Sequence, residues 1–289
     1  MKVKYYIKEM RVHHWIKNLL VFVPLICSCQ LFAVNDFIAT GYVFLSFCFL
    51  SSAIYFINDL RDVELDKQHK TKCKRPLAAG HISKKQAIAC VIALLSVVIL
   101  INTLSFNGCV VLALSIYFVL NLGYSFGLKN VILIDIAILA SGFLIRIMAG
   151  AAATGIQCSS WLYLVVISAA FYFGLGKRRN ELLRMADEAR PVAKKYPFAF
   201  LDKALYLFMG MVFVFYALWA VDSNTVVLHG GTNLFWTFPV LILIFLKYTI
   251  DIEGDSDGDP VEVLIHDKAL IGLCVLYLIL MFVFLYILV

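Results

Sequence analysis

The chain has 289 residues, 62% of them hydrophobic and 15% charged, with a formal net charge of +6 and a mean hydropathy of +0.89. Soluble domains carry about 45–50% apolar and about 25% charged residues, which excludes a water-soluble enzyme, a disordered chain and a disulfide-built secreted module. Nine crossings of about 20 residues would use roughly 180 residues, close to the apolar fraction of the chain. One compact membrane domain over 1–289 is therefore expected.

The predicted elements are nine apolar stretches, near 17–34, 37–57, 86–103, 109–124, 131–151, 160–176, 204–221, 233–250 and 269–288. Runs this long without period-2 alternation are helices and not barrel strands, so the expected fold is all-α and polytopic, with nine transmembrane helices. Lys2, Lys4, Lys8 and Arg11 precede the first stretch, and no small-residue cleavage site follows it. That stretch reads as a retained span. The 8 cysteines show no metal-ligand spacing beyond Cys27 and Cys29, which lie in an apolar run as small hydrophobes.

Of the 25 Lys and Arg residues, 24 lie before or at the start of the first stretch, in alternate connections after it, or, as Lys247 and Lys268, flanking the last of these, and the intervening connections carry none. Such asymmetry places the N-terminus and the basic connections in the cytoplasm and, with nine spans, the C-terminus outside. The remaining one, Arg146, sits within the fifth stretch together with Asp135. Intramembrane charges are costly and are functional candidates by default. About 16 Å of helix separates these two, so they cannot pair directly.

In chain order, Trp15-Ile16-Lys17-Asn18 is physically explained by an interfacial anchor and a snorkelling charge. Asn58-Asp59-Leu60-Arg61-Asp62-Val63-Glu64-Leu65-Asp66 follows the second stretch. On a helix, Asp59, Asp62 and Asp66 fall within about 60° of arc, with Asn58 one turn before Asp62. Three carboxylates on one face repel unless a cation sits between them, and Mg²⁺ is held by one or two carboxylates plus substrate phosphates. A solvated acidic helix end is the plainer reading of an isolated DxxD pattern. Arg75 before Pro76 is a planar bidentate donor on a stiff backbone, suited to phosphate oxygens, although a basic run beside lipid also serves topology. Lys177, Glu181 and Arg184 share one face after the sixth stretch, as an exposed salt-bridged helix would also show. The last basic-side connection holds Tyr248, Asp251, Glu253, Asp255, Asp257 and Asp259 and lacks the closing Glu of an EF-hand. A second metal site or a polar lid fits it better.

These residues resemble the UbiA superfamily of intramembrane prenyltransferases. The resemblance rests on the span count and on Asn58-Asp59-x-x-Asp62-x-x-x-Asp66. It implies a helical bundle around a cavity open to the cytoplasm, with Mg²⁺ held on a diphosphate by Asn58, Asp59, Asp62 and Asp66. It also implies that Tyr124 and Lys129 contact phosphate. Within the superfamily the chain looks most like the decaprenyl-phosphate phosphoribosyltransferases. Trp15-Ile16-Lys17-Asn18, Lys74-Arg75-Pro76-Leu77-Ala78-Ala79-Gly80, Arg146-Ile147-Met148-Ala149-Gly150-Ala151, Gly176-Lys177-Arg178 with Glu181, and Tyr248-x-x-Asp251 carry that likeness. It departs from the aromatic prenyltransferases, which carry a second DxxxD where this chain has Lys177, Arg178 and Glu181. It departs from its own branch at Val12-His13-His14, where Pro and Gln are expected.

The implied activity is transfer of 5-phosphoribosyl from phosphoribosyl pyrophosphate to a polyprenyl phosphate, with membrane lipid as the surroundings and no nucleic-acid partner. Asp62, Asp66 and Lys17 are the expected catalytic residues. Lys17, Asn18, Arg75, Tyr124, Lys129, Arg146, Lys177, Arg178, Glu181, Tyr248 and Asp251 are expected at substrate. Prenyl transfer to an aromatic acceptor is the runner-up. A transporter ranks below both, because the charge is concentrated at one membrane face and not at the midplane.

Overall fold

A computed structural model describes residues 3–69, 71–184, 192–254 and 259–288, and among these every regular element is helical. The long helices are α3 (Val34–Gln68), α4 (Lys84–Leu104), α5 (Gly108–Ser125), α6 (Ile134–Thr154), α7 (Ser160–Arg184), α8 (Phe198–Val221), α10 (Phe238–Glu253) and α12 (Lys268–Tyr286). Short helices α1 (Val3–Met10), α2 (Val23–Cys27), α9 (Ser223–Leu228) and α11 (Pro260–His266) lie between or before them. Among the described residues, eight elements are long and apolar enough to cross a membrane, one of them α10 with its preceding turn from Asn233. The protein is an integral membrane protein.

The first expected stretch, 17–34, takes a different form. The apolar segment is Val12–Cys27, a 3₁₀ run over Val12–Phe22 that becomes α2 one residue before Pro24. Proline has no N–H to give and is tolerated in the first turn of a helix, so the change of hydrogen-bond pattern falls where the proline permits it. Cys29, at φ 59, then turns the chain out of the helix. A 3₁₀ helix rises about 2.0 Å per residue against about 1.5 Å for an α-helix, so these 16 residues reach about 30 Å, the thickness of the hydrocarbon core.

Helix α3 departs from the expected 37–57 in the other direction. At 35 residues it is about 52 Å long, so its last dozen residues extend beyond a hydrocarbon core of about 30 Å. Its extension, Asn58–Gln68, is rich in Leu, Arg, Glu, Lys and Gln and has no Gly or Pro to stop it. The acidic motif therefore stands on a rigid helix end. Ser83 and Gln86 form a capping box that starts α4, and Asn107 caps α5.

The chain divides into two compact units. The first comprises Met1–Ile26, Gln30–Lys129 and Ile145–Ile156. Val21, Phe47, Leu50, Leu114, Tyr117 and Ile145 are among its buried core. Gly150 is required there: a Cβ at this position would lie 2.0 Å from the carbonyl oxygen of Val21. The second unit comprises Cys27–Cys29, Asn130–Leu144 and Gln157–Val289. In it α7 packs along α8, and Tyr172 and Phe173 meet Phe245 and Tyr248 of α10 in an aromatic cluster.

Candidate active site

In the first unit the acidic end of α3 is enclosed by basic side chains brought from far along the chain. Arg75 follows a short 3₁₀ turn and precedes Pro76, which holds it in an extended conformation (φ −66°, ψ 141°). Its Nη1 donates to Asp59 Oδ1 at 3.0 Å and to Asp66 Oδ2 at 2.7 Å. Arg11, in the left-handed region at φ 51, donates from Nη2 to both oxygens of Asp59 at 2.9 and 2.7 Å. Its guanidinium also lies 4.5 Å over the ring of Tyr55. Asn58 donates to Asp59 Oδ1 at 3.3 Å. Lys129 reaches Asp62 instead.

The helix arithmetic explains this division. Asp59 and Asp66 are seven residues apart and almost in line, so one guanidinium bridges them, whereas Asp62 is rotated by about 60° from Asp59. The three carboxylates of the motif thus separate into a pair and a single. Asp59 and Asp66 are buried. Charge-assisted hydrogen bonds, which are about twice as strong as neutral ones, offset part of the cost of desolvating them.

Asn18 and Arg146 form a second buried group in the same unit. Arg146 Nε donates to Asn18 Oδ1 at 2.8 Å and Nη2 donates to Tyr117 Oη at 2.9 Å. The guanidinium sits 4.7 Å over the Tyr117 ring and 5.3 Å over Phe47. Asn18 in turn donates to the sulfur of Cys48 at 3.2 Å. The side chains of Asn18, Tyr117 and Phe47 hold this intramembrane arginine. Lys17 and Tyr124 are half-buried.

In the second unit Arg178 and Asp135 are fully buried and joined by a 2.7 Å bond from Nε to Oδ2. Arg178 Nη1 also donates to both oxygens of Glu181 at 2.8 Å. Asp135 accepts a further 2.7 Å bond from the Tyr196 hydroxyl, whose oxygen accepts from the backbone N–H of Leu133 at 2.7 Å. Burial, and then the bond to Asp135, push the Tyr196 phenol well up, so it remains a donor. Asp135, a functional candidate by its intramembrane charge, is the centre of a buried network. Lys177 donates to Asp259 Oδ2 at 2.8 Å, and that residue also caps α11. Tyr248 is buried in the aromatic cluster, and Asp251 accepts from Lys247. Asp255 and Asp257 fall outside the described residues, as does the side chain of Arg184.

The model of the UbiA prenyltransferase family matches residues 21–266. The chain belongs to that family. It is 35% identical over 271 residues to a decaprenyl-phosphate phosphoribosyltransferase of Corynebacterium glutamicum, covering 91% of this chain and 81% of the relative. It is 33% identical over 282 residues to the decaprenyl-phosphate phosphoribosyltransferase of Mycolicibacterium smegmatis, covering 91% and 87%. Its fold is shared by a UbiA homologue from Archaeoglobus fulgidus, solved bound to GPP and Mg²⁺, at a TM-score of 0.65 and 20% identity, with 98% of this chain and 100% of that one covered.

Two residues of this UbiA-family chain escaped the sequence reading, and both precede the family match. Arg11 looked like one more topogenic charge; its exchange of bonds with Asp59 crosses 48 positions, which no local pattern reveals. Glu9 is fully buried beside Asp59 with no hydrogen-bond donor on either carboxyl oxygen. Burial first, and the neighbouring Asp59 second, push its carboxyl up to about 7.

The donor set fits a hard divalent cation. Arg75 holds one positive group between Asp59 and Asp66, the position where an ion would meet two carboxylate oxygens. Among the described residues no three His, Cys, Asp or Glu side chains converge on a common ion. A site of this kind is completed by substrate phosphates, the usual manner of Mg²⁺.

Proposed function

We propose that this chain transfers the phosphoribosyl group of phosphoribosyl pyrophosphate to a polyprenyl phosphate, releasing pyrophosphate. The observation that carries the reading is the 35% identity, across 91% of the chain, to a relative named for that reaction. The C1–O bond to pyrophosphate breaks with its electron pair on the leaving group, and a phosphate oxygen of the acceptor bonds to C1. A phosphate monoester is already ionised near neutral pH, so the nucleophile needs no strong base. Asp62 and Asp66, helped by Asn58 and Asp59, would hold Mg²⁺. When bound, the ion neutralises charge on a diphosphate. Lys17, Arg75 and Lys129 supply donors to phosphate oxygens as negative charge builds on the leaving group. Lys177 orients a further phosphate, and Arg178 with Glu181 fixes the end of α7 that carries it.

The acidic end of α3 faces the cytoplasm on this reading, because 24 of 25 basic residues share its side. Single cysteines at His81 and at Phe106, on a cysteine-depleted background, are expected to label from opposite sides of the membrane. The activity is tested with purified protein, phosphoribosyl pyrophosphate and polyprenyl phosphates of several lengths, reading pyrophosphate release and the phosphoribosylated lipid. Reaction of a polyprenyl diphosphate with a phenolic acid, without use of phosphoribosyl pyrophosphate, would establish the aromatic prenyltransferase instead.

A further inference from the structure

Helix α3 has a second face, turned away from its carboxylate pair. Ile57, Leu60 and Arg61 line an open groove of about 360 Å³ together with Ile88, Val91 and Ile92 of α4 and Phe126, which follows α5. At about 100° per residue, Arg61 is about 160° around the helix from Asp59 and about 140° from Asp66. The groove therefore lies on the side of α3 turned away from the carboxylate pair. Its body is apolar and open, with Ile88, Ile92 and Phe126 all strongly exposed, as expected of a surface in contact with lipid chains.

The end of the groove nearest the acidic motif is basic. Arg61 is exposed; it donates to the Ser125 carbonyl and lies 4.7 Å over the Phe126 ring, so its guanidinium is held at the groove mouth. Lys84 and Lys85 open α4 one turn before Ile88 and are exposed. The nearby anion is Glu64, in exposed pairs with Lys67 at 3.0 Å and Lys84 at 3.6 Å, and such pairs contribute little. Arg61, Lys84 and Lys85 outnumber that one carboxylate.

We propose that this groove binds an anionic glycerophospholipid, one acyl chain lying on Ile57, Leu60, Ile88, Val91 and Ile92 and the headgroup phosphate resting on Arg61, Lys84 and Lys85. The bilayer supplies the occupant laterally, and the basic mouth selects the anionic kind. Its position opposite Asp59 and Asp66 makes it a bilayer lipid and not the reacting polyprenyl phosphate.

The test uses the full chain in a neutral detergent with phosphatidylglycerol or phosphatidylcholine added, reading retained lipid by native mass spectrometry and the thermal midpoint in parallel. Wild type is expected to retain phosphatidylglycerol over phosphatidylcholine and to be stabilised by it. Replacing both lysines, Lys84→Ala with Lys85→Ala, should weaken phosphatidylglycerol retention about thirtyfold, with the midpoint in phosphatidylcholine unchanged. Ile88→Trp keeps every cation and fills the groove, so it separates chain insertion from surface charge; it too should lose the lipid. Equal retention of the two phospholipids overturns the proposal, as does full retention by Ile88→Trp. Preferential retention of a polyprenyl phosphate at this groove overturns it as well, by making the occupant a substrate.

Discussion

Arg178→Met separates a structural from a substrate-binding role for the basic pair that closes α7. Arg178 and Asp135 are both fully buried, and the arginine satisfies Asp135 at 2.7 Å and both oxygens of Glu181 at 2.8 Å. Removing one partner of a buried ion pair costs about 3–5 kcal/mol, because the remaining charge is left without compensation. The Tyr196 hydroxyl still donates to Asp135, and a hydrogen bond to a charged group is worth about 1.5–3 kcal/mol, so the lower end of that range is expected. Adding Asp135→Asn and Glu181→Gln to Arg178→Met should recover part of the loss, since neutral groups are less costly to bury unpaired. The assay is unfolding in detergent, by heat or denaturant, alongside binding of phosphoribosyl pyrophosphate at a temperature where both proteins are folded. Lys177→Ala provides the contrast, with donor binding weakened and a smaller fall in the unfolding midpoint, because Lys177 is half-buried and Asp259 keeps the Val261 N–H. If Arg178→Met unfolds like wild type and loses only donor binding, Arg178 is a phosphate ligand and the buried-network argument is wrong.

Three other outcomes are expected. Asp62→Asn or Asp66→Asn should abolish magnesium-dependent turnover while expression stays near wild type, and Asp59→Asn or Asp66→Asn should also reduce Mg²⁺ uptake in calorimetry. Gly150→Ala should lower the unfolding midpoint, at about 1–3 kcal/mol for overpacking, whereas Gly41→Ala, where a Cβ meets nothing within 4 Å, should not. Asp267 caps α12 and accepts from Lys247 at 2.6 Å; the lysine bond first, and then the Leu270 N–H, hold its carboxyl below the ordinary value of 3.8. A depressed carboxyl stabilises the fold above its unfolded-state value and ceases to do so as pH falls through its folded-state value. Asp267→Asn should therefore lower the midpoint at neutral pH, and the gap from wild type should close as the pH falls below 3.8.

The sequence by itself determined the membrane character, the helical class and the family. Apolar runs long enough to cross a bilayer, and basic residues confined to alternate connections, are properties of local composition that folding does not alter. The acidic face was legible for the same reason: the spacing of Asp59, Asp62 and Asp66 is a property of a single helix, and α3 does continue through them. The form of the first apolar segment was less legible, since a 3₁₀ run is set by packing such as the contact of Val21 with Gly150 as well as by Pro24. What only the tertiary structure decided is which charge meets which. Asp59 takes Arg11 and Arg75, Asp62 takes Lys129, and Asp135 takes Arg178 and Tyr196, at separations of 16 to 67 positions. Coulomb attraction is blind to chain order, and burial, which gives each pair its strength, is conferred only when distant helices close around it.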